Sequence, residues 1–421
     1  MEKFNSKKLL LLGNSTSSDE IVRIAHKLGA YVIVIDNTND STLKEIADKS
    51  YSVNTADLDE LEKLAKIEKI NGVIAGASEF NIRQALLLSN RLSTPFYATK
   101  EQWDILSNKE TFKSLCRQYN VPVVEEYDID NILNSNNCDL NVYPVIIKPV
   151  DGTAGMGISI CKNKDELLAG YEKALSCSSS KKVILERYMT GEEVVIYYTI
   201  QDSYVSLSAM CDRYTFMQEG VAPLPSAYIF PSKYLSEYKK YDNENVIKMF
   251  EGIGLKNGFL FLQSFIENNR VRFYEMGYRI AGAQGQNIIS AVNGVDALEM
   301  LVRHSLSGKM DGWDLRTQDN ADFKKYACKL TPILNLGKIK RIEGLNEIRE
   351  FEWVTKVVDV NKEGDIVKER GTLKQLLTRI YLVADSIDEM KERIDIIQSK
   401  IHVYDEDDNE MIIGKFDTNN I

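Results

Sequence analysis

The chain has 421 residues, of which 44% are hydrophobic and 27% are charged, a balance that is typical of a soluble globular protein. Its length predicts about three domains, and its net charge of −10 disfavours nucleic acid as a partner. The run before Asn14 contains only five apolar or small residues, too few for a signal peptide or a membrane span. We therefore expect no membrane partner. The six cysteines include no C-x-x-C pair, so we expect reduced thiols in a cytoplasmic protein.

The N-terminal segment alternates short apolar runs with helix patterns. The predicted elements are strands at Lys8–Leu12, Tyr31–Ile35 and residues 73–75, and helices at residues 19–28 and Glu79–Leu92. This alternation predicts a small parallel sheet of the doubly wound type in residues 1–106. Ligands of such sheets gather at the carboxyl ends of the strands, so residues 13–15 either contact a ligand or belong to a scaffold.

Residues 145–158 predict a buried strand that ends on Lys148 and breaks into a glycine-rich loop. The loop residues whose backbone N–H groups suit an anion are Gly152, Thr153, Gly155 and Gly157. A lysine at the strand end adds a point charge of the kind that binds phosphate. The loop does not match the Walker A motif, and residues 13–18 do not match the dinucleotide fingerprint. The alternative is a solvated lysine beside an ordinary turn.

Three further patterns follow the glycine loop. Residues 183–196 predict two strands joined by a short linker, with Glu193 two residues after Gly191. Residues 259–263 and 271–275 predict a hairpin, and Glu275 and Arg279 then lie four residues apart. Lysine, glycine loop, linker glutamate, G-x-E and E-x-x-x-R therefore occur in this order along the chain.

This order of motifs resembles the ATP-grasp superfamily of carboxylate–amine ligases. The resemblance covers roughly residues 105–310, and the N-terminal segment is similar to the domain that usually precedes it. It implies an α/β fold in three parts: a parallel-sheet domain in residues 1–106, an ATP-grasp domain in residues 107–310, and a small α+β domain in residues 311–421. We predict that Ser107 caps the helix that opens the second part, since Glu110 follows three residues later.

The resemblance implies that ATP is bound. The matching positions are Lys109, Lys148, Gly152, Thr153, Gly155, Met156, Gly157, Glu186, Arg187, Tyr188 and Glu193. In the family, the two lysines contact phosphates, and the backbone of the linker pairs with the adenine edge. The carboxylate of Glu193 would accept both ribose hydroxyls. Glu192 is its competitor, but alternation along a strand places the two glutamates on opposite faces.

The metal site departs from the family pattern. The resemblance implies Mg²⁺, which prefers oxygen ligands, and the matching positions hold Gln263, Glu275 and Gly277. Glu275 fits, Gln263 offers only a neutral oxygen, and Gly277 has no side chain. A three-residue turn would place Gln263 opposite Glu275 on one face of the hairpin, whereas a two-residue turn would not.

Charge stabilisation and the acceptor site complete the expectations. The guanidinium of Arg279 would bind the transferring phosphoryl group through two hydrogen bonds. Residues 210–235, which contain three prolines, predict a long irregular connection on the acceptor side. There Arg213 and Asn287 are candidate substrate contacts, although Arg213 has Asp212 as an alternative partner. Residues 339–345, 353–360 and 378–383 predict C-terminal strands, and residues 388–400 predict a helix.

The resemblance implies an Mg-ATP-dependent ligase that forms an acyl phosphate and then an amide, releasing ADP and phosphate. Its partners would be a small-molecule carboxylate and an amine, and a homodimer is left open. One alternative is a nucleotide-binding protein of the same fold that lacks turnover because its metal site is degenerate. Another is a doubly wound protein that binds nucleotide sugars. Within the superfamily, carbamoyl phosphate synthesis is the least expected reaction because it normally needs two tandem ATP-grasp units.

Overall fold

A computed structural model describes residues 4–38, 41–134, 142–151, 157–219 and 221–421 of the chain. The predicted loop residues Gly152, Thr153, Gly155 and Met156 lie outside these ranges. Within them, no helix combines the length and the apolar character that a membrane crossing requires.

The N-terminal part is a parallel sheet with helices on its faces, as predicted. Its elements are β1 Lys8–Leu12, α1 Ser18–Lys27, β2 Tyr31–Ile35, α2 Thr42–Ile46, β3 Lys49–Tyr51, α3 Leu58–Glu68, β4 Gly72–Ala75 and α4 Glu79–Leu92. The four strands lie in the order β3-β2-β1-β4. Leu9–Leu12 are almost fully buried, because a parallel sheet is covered on both faces. The sequence did not predict β3, which is short and polar.

The next segment forms a small antiparallel sheet that carries the lysine strand. Its elements are α5 Lys100–Ser107, α6 Lys109–Gln118, β5 Glu126–Tyr127, α7 Ile129–Asn134, β6 Val145–Pro149, β7 Ser159–Cys161, α8 Lys164–Cys177 and β8 Val183–Arg187. The strand order is β5-β8-β6-β7. The predicted cap is wrong by one residue. Asn108 caps α6 and accepts from the N–H groups of Glu110 and Thr111, whereas Ser107 ends α5.

The remaining chain supplies a large sheet and the helices around it. The elements up to residue 330 are β9 Glu193–Gln201, β10 Tyr204–Phe216, β11 Leu224–Phe230, α9 Leu235–Tyr241, α10 Asn243–Gly252, β12 Gly258–Glu267, β13 Arg270–Gly277, α11 Gln286–Asn293, α12 Ala297–Ser307, α13 Leu315–Gln318 and β14 Tyr326–Leu330. The predicted irregular connection at residues 210–235 is therefore wrong, since most of it belongs to β10 and β11. The prolines are tolerated because Pro223 precedes β11 and Pro225 pairs with Thr215 beside a register shift.

The C-terminal elements are β15 Ile333–Leu334, β16 Gly337–Lys338, β17 Arg341–Glu343, α14 Leu345–Arg349, β18 Val354–Asp359, β19 Ile366–Val367, β20 Thr378–Ala384, α15 Ile387–Lys400, β21 His402–Tyr404 and β22 Ile412–Ile413. Two of these strands, β18 and β20, extend the same large sheet, whereas the others form two-stranded sheets. The sheet has eight strands in the order β13-β12-β9-β10-β11-β14-β20-β18. It crosses the proposed boundary between residues 310 and 311, and the division into three domains stays a prediction.

The two faces of the eight-stranded sheet pack into different hydrophobic cores. Val195 and Tyr197 of β9 pack with α1, α11 and α12 on one face. Val194 and Ile196 pack with α6 and α10 on the other. This alternation follows from the two-residue period of a strand. The first face is directed towards the N-terminal sheet, and by register it carries Glu193, Arg213 and Gln263.

Candidate active site

Lys148 lies in a buried cluster with two other charged side chains. Its Nζ is 2.7 Å from Oε2 of Glu186, and Lys113 of α6 bonds to the other oxygen of the same carboxylate. Lys113 also donates to the carbonyl of Val124 at 3.4 Å. All three charged side chains are at least nine-tenths buried. Lys113 also lies 3.5 Å from Oε1 of Glu126, which pairs in turn with Arg117. Three cations therefore face two carboxylates, and the net positive charge favours an anion beside Lys148.

The pKa values in this cluster reflect both burial and pairing. Burial lowers the pKa of Lys113 from 10.5 to about 8, an effect that Glu186 opposes and Lys148 reinforces. Burial acts to raise the pKa of Glu186, but Lys148 and Lys113 outweigh it and lower that pKa below its ordinary value. Glu186 is therefore an ionised partner for both lysines at neutral pH.

The strand register explains why Lys148 meets Glu186. Lys148 pairs with Ile184, and Glu186 pairs with Ile146. The two charged residues are thus diagonal neighbours on one face of β6 and β8. Sequence reasoning did not select Lys113. The available signal was its spacing of four residues from Lys109, which places both lysines on one face of α6.

The described ends of the glycine loop approach α6. The N–H of Lys109 donates to the carbonyl of Val150 at 3.3 Å, so the first residue of the helix sits at the end of the lysine strand. Gly157, where the chain returns from the loop, has φ 77°. A Cβ there would lie 2.7 Å from Cγ of Pro149 and 2.9 Å from Cβ of Cys177. Both its backbone conformation and its packing therefore require glycine.

The linker after β8 has its N–H groups engaged. The N–H of Arg187 donates to the carbonyl of Glu125 at 3.0 Å, and that of Tyr188 donates to Pro144 at 3.3 Å. These two donors are thus not the ones that an adenine edge would use. The guanidinium of Arg187 lies 2.7 Å from Oε1 of Glu267, which ties the small sheet to the hairpin of β12 and β13.

Glu193 and Glu192 have separate sets of partners. Glu193 accepts from the hydroxyl of Tyr274 at 2.9 Å and from Arg213. Glu192 instead bonds to Lys233 and to Tyr234. Alternation therefore separates the two glutamates, as the sequence predicted.

Arg213 pairs with Glu193 and not with the neighbouring Asp212. Asp212 accepts from Ser232 and from the N–H of Lys233. Burial disfavours the charged form of Arg213, but Glu193 raises its pKa well above the ordinary value. The pair is largely buried, with 14% and 11% of the two side chains exposed.

Gln263 and Glu275 are paired across the hairpin. Of the two turn lengths left open by the sequence, the structure has the two-residue one, Asn268 and Asn269, both with positive φ. A register shift after Gln263 leaves Tyr274 as an extra residue and brings Gln263 opposite Glu275. A β-bulge thus achieves the pairing that the longer turn would have given.

The oxygen donors of this pair suit a magnesium ion only in part. Glu275 supplies a carboxylate and Gln263 an amide oxygen, both of which Mg²⁺ accepts. Among the described residues, no group of three His, Cys, Asp or Glu side chains could hold a metal ion. At Gly277, a Cβ would meet the ring of Phe261 at 2.5 Å. The pair therefore fits a metal whose other ligands come from phosphates and water.

Arg279 is held at the boundary between the N-terminal sheet and the large sheet. Its Nη2 lies 2.8 Å from Oε1 of Glu79, the first residue of α4, and its Nη1 donates to the carbonyl of Ile280 at 3.1 Å. Its guanidinium also lies 5.2 Å from the ring centroid of Phe261. Glu79 thus neutralises the guanidinium that the sequence assigned to the phosphoryl group.

Asn287 lies at the opposite edge of the same sheet face. It is buried, and its Oδ1 accepts from Nζ of Lys356 at 3.1 Å. Lys356 also lies 2.5 Å from Glu20 of α1. Asn287 therefore lies beside β18, whereas Arg213 belongs to β10. The structure does not bring these two predicted substrate contacts together.

Comparisons with known proteins identify the central segment. Residues 108–311 match the family model described as carbamoyl-phosphate synthase L chain, ATP binding domain. The carbamoyl phosphate synthase large chain of Clostridium perfringens is 25% identical over 54% of this chain and 22% of its own length. The formate-dependent phosphoribosylglycinamide formyltransferase of Prochlorococcus marinus is 27% identical over 47% of this chain and 51% of its own length. The chain thus spans about half or less of these relatives.

Solved structures establish the fold over nearly the whole chain. The L-amino acid ligase of Bacillus licheniformis superposes with a TM-score of 0.78 at 15% identity, covering 96% of this chain and 99% of the other. Phosphoribosylglycinamide synthetase of Anaerococcus prevotii gives 0.75 at 18% identity over 95% and 100%. The biotin carboxylase domain of 2-oxoglutarate carboxylase from Hydrogenobacter thermophilus, a dimer in complex with MgADP, gives 0.75 at 17% identity over 96% and 91%.

Proposed function

We propose that this chain, whose residues 108–311 belong to the ATP-grasp family of carbamoyl-phosphate synthase L chain ATP-binding domains, is an ATP-dependent carboxylate–amine ligase. The observation that carries the proposal is the cluster in which Glu186 faces both Lys148 and Lys113. With Arg117 and Glu126 included, the cluster keeps a net positive charge at the root of the glycine loop, where a phosphate would neutralise it. Two relatives of the same fold are named a ligase and a synthetase.

In the proposed reaction, a carboxylate oxygen of the substrate attacks the γ-phosphorus of ATP and ADP leaves. The amine nitrogen then attacks the acyl carbon, phosphate leaves with the C–O electron pair, and the nitrogen loses a proton. Lys148 and Lys109 would hold the phosphates, and Glu193 would accept the ribose hydroxyls. Mg²⁺, bound by Glu275 and Gln263, would neutralise phosphate charge.

Arg279 would stabilise the charge that spreads over the transferring phosphoryl group. Its present partner is Glu79, at 2.8 Å. A phosphoryl group beside Arg279 would therefore compete with this carboxylate, or share the guanidinium with it through a second pair of N–H groups. Without a phosphoryl group, the ion pair with Glu79 holds the guanidinium at the boundary between the two sheets.

The test is ADP release by purified protein with ATP, Mg²⁺ and a pool of amino acids and small carboxylates. The proposal predicts ADP release that depends on the added substrates and is lost in Lys148→Ala. Lys182→Ala is the matched control, because the side chain of Lys182 is exposed and its ammonium group pairs with Glu110. ATP binding without ADP release from any pool would contradict the proposal.

The second candidate is a nucleotide-binding protein of the same fold without turnover. The observation that favours it is the metal position, where Gln263 is neutral and Phe261 fills the space next to Gly277. The two candidates differ in their response to Gln263→Glu. An active ligase keeps or gains ADP release with a second carboxylate at the metal, whereas a protein without turnover stays inactive.

A further inference from the structure

One continuous row of side chains crosses the eight-stranded sheet. Its members pair in register from strand to strand: Glu193 with Arg213, Arg213 with Tyr228, Tyr228 with Lys329, Lys329 with Tyr381, and Tyr381 with Lys356. We call this the Glu193–Lys356 row. All six residues lie on the sheet face that is directed towards the N-terminal sheet. Three of them are cations and only one is a carboxylate.

The cations at the two ends of the row are paired within the protein. Arg213 has Glu193 as its partner, and Lys356 has Glu20. Lys329, in the middle, has a different environment. Its Nζ donates to the carbonyl of Ala283 at 2.8 Å and lies 3.4 Å from the ring centroid of Tyr228.

A second cation lies on the same face beside Lys329. Arg379 precedes Tyr381 by two residues in β20, so both side chains leave the strand on one side. Lys329 is 2% exposed and Arg379 is 8% exposed. Within the ranges that the structure describes, neither of them forms an ion pair with a carboxylate. Burial without a counter-anion disfavours the charged forms of both side chains, and an anionic ligand would stabilise them.

Unpartnered amide groups lie next to this part of the row. The segment from Ala283 to Asn287 packs over it, since a Cβ at Gly285 would lie 2.5 Å from the hydroxyl of Tyr197. In the described part of the chain, neither side-chain polar atom of Gln286 has a hydrogen-bond partner, and Nδ2 of Asn287 has none. Both side chains are buried. Buried amides are normally satisfied, so these groups indicate a missing polar ligand.

We propose that Lys329 and Arg379, with the amide side chains of Gln286 and Asn287, bind a substrate carboxylate that takes no part in bond formation. This inference rests on the proposed ligase function and names a feature of its substrates. One co-substrate then carries a carboxylate besides the activated one. Its source is either the acid co-substrate, as a dicarboxylic acid, or the amine co-substrate, as an amino acid.

The distance to the reaction centre suits a substrate of amino-acid or dipeptide size. Arg279 is four residues before Ala283, whose carbonyl contacts Lys329, and a segment of that length spans at most about 14 Å. Along the row, three strand spacings separate Glu193 from Lys329, which is also about 14 Å. A molecule activated near Arg279 would therefore reach Lys329 with its far end.

The charge state of Lys329 agrees with a site that is completed by its ligand. Burial lowers the pKa of Lys329 well below its ordinary value, and Arg379 and Arg213 lower it further, whereas Cys211 and Cys328 oppose the shift. A carboxylate beside Lys329 would raise this pKa again and so stabilise the ammonium form.

The experiment is calorimetric titration of the full chain, with Mg²⁺ and a non-hydrolysable ATP analogue present. The probes are glutarate against butyrate, and L-alanine against L-alaninamide. We expect one carboxylate-bearing probe of a pair to bind and its partner not to bind, which identifies the source of the carboxylate. Lys329→Met and Arg379→Met should each weaken that binding by more than about tenfold.

Lys325→Met is the matched control. Lys325 lies just before β14, is exposed and pairs with Asp385. This substitution should leave binding unchanged. The melting temperature is a second readout, which separates loss of the site from misfolding. Lys329→Met should raise it, since the substitution removes a buried basic group that has no counter-anion. A purely structural lysine would give a lower melting temperature instead.

Equal binding in wild type and Lys329→Met, or no binding of any probe to the wild type, would overturn the inference. Its failure is distinguishable from failure of the ligase function. Substrate-dependent ADP release with an unchanged KM in Lys329→Met would leave the ligase standing and remove this site. Carboxylate binding that follows the expected pattern, but without any ADP release, would support this site and contradict the ligase function.

Discussion

The ring of Phe261 occupies the space that a side chain at position 277 would need, because a Cβ added to Gly277 would lie 2.5 Å from two ring carbons. The two residues are also Cα partners across β12 and β13. The missing side chain at the metal position is therefore linked to the packing of the hairpin. Phe261 in turn lies under the guanidinium of Arg279.

The first prediction concerns this packing. Gly277→Asn should destabilise the fold by about 1–3 kcal/mol, because the new side chain overpacks a filled space. In a Phe261→Leu background the additional cost should fall, and a double-mutant cycle in urea measures the difference. Gly282→Asn is the control, since a Cβ there meets nothing within 4 Å. Additive costs in the cycle would show that the two positions are independent.

The second prediction concerns the metal. Gln263→Glu should lower the Mg²⁺ concentration needed for half-maximal ADP release, because a carboxylate binds a hard cation more strongly than an amide does. Gln118→Glu, at an exposed position at the end of α6, is the control for added negative charge. An unchanged Mg²⁺ dependence would remove Gln263 from the metal site.

The third prediction concerns Lys113. Its pKa is lowered from 10.5 to about 8, so between these two pH values the unfolded chain binds more protons than the folded one. Stability must then rise with pH in this window relative to Lys113→Met, by up to about 3 kcal/mol. Urea unfolding of both proteins at pH 7.5 and pH 10 checks this sign. An identical change in both would show that Lys113 does not titrate there.

The fourth prediction concerns the nucleotide. Lys148→Ala should weaken ATP binding by at least about tenfold, since it removes a buried charge that would face the phosphates. Fluorescence titration with a labelled ATP analogue measures it, with Lys182→Ala as the exposed control. Binding that is insensitive to Lys148→Ala would instead favour a nucleotide-sugar-binding protein.

Local patterns in the sequence predicted the strands and motifs that short-range chemistry determines. β1, β2 and α4 have the predicted bounds, and the alternation of Glu192 and Glu193 follows from the period of a strand. The pairing of Gln263 with Glu275 stayed open in the sequence analysis, because it depends on a bulge at Tyr274 that cannot be seen in the sequence. The prolines between residues 210 and 235 suggested a loop where two strands of the large sheet run.

Features that depend on distant strands could not be predicted. In the sequence, nothing distinguishes Lys329 from an exposed lysine in a short strand. It is buried because β14 lies between β11 and β20 in the large sheet. The Glu193–Lys356 row joins residues that are as far as 163 positions apart in the chain. Lys113 likewise becomes a site residue only because α6 packs against the carboxylate of Glu186.

The most direct test of the account is thermal unfolding with and without ATP, each in the presence and absence of Mg²⁺. A ligand that binds only the folded state at about 100 times its dissociation constant adds roughly 2.7 kcal/mol. The account predicts a large rise in melting temperature that needs ATP and Mg²⁺ together and is lost in Lys148→Ala. An unchanged melting temperature in all four conditions would contradict a nucleotide site at Lys148.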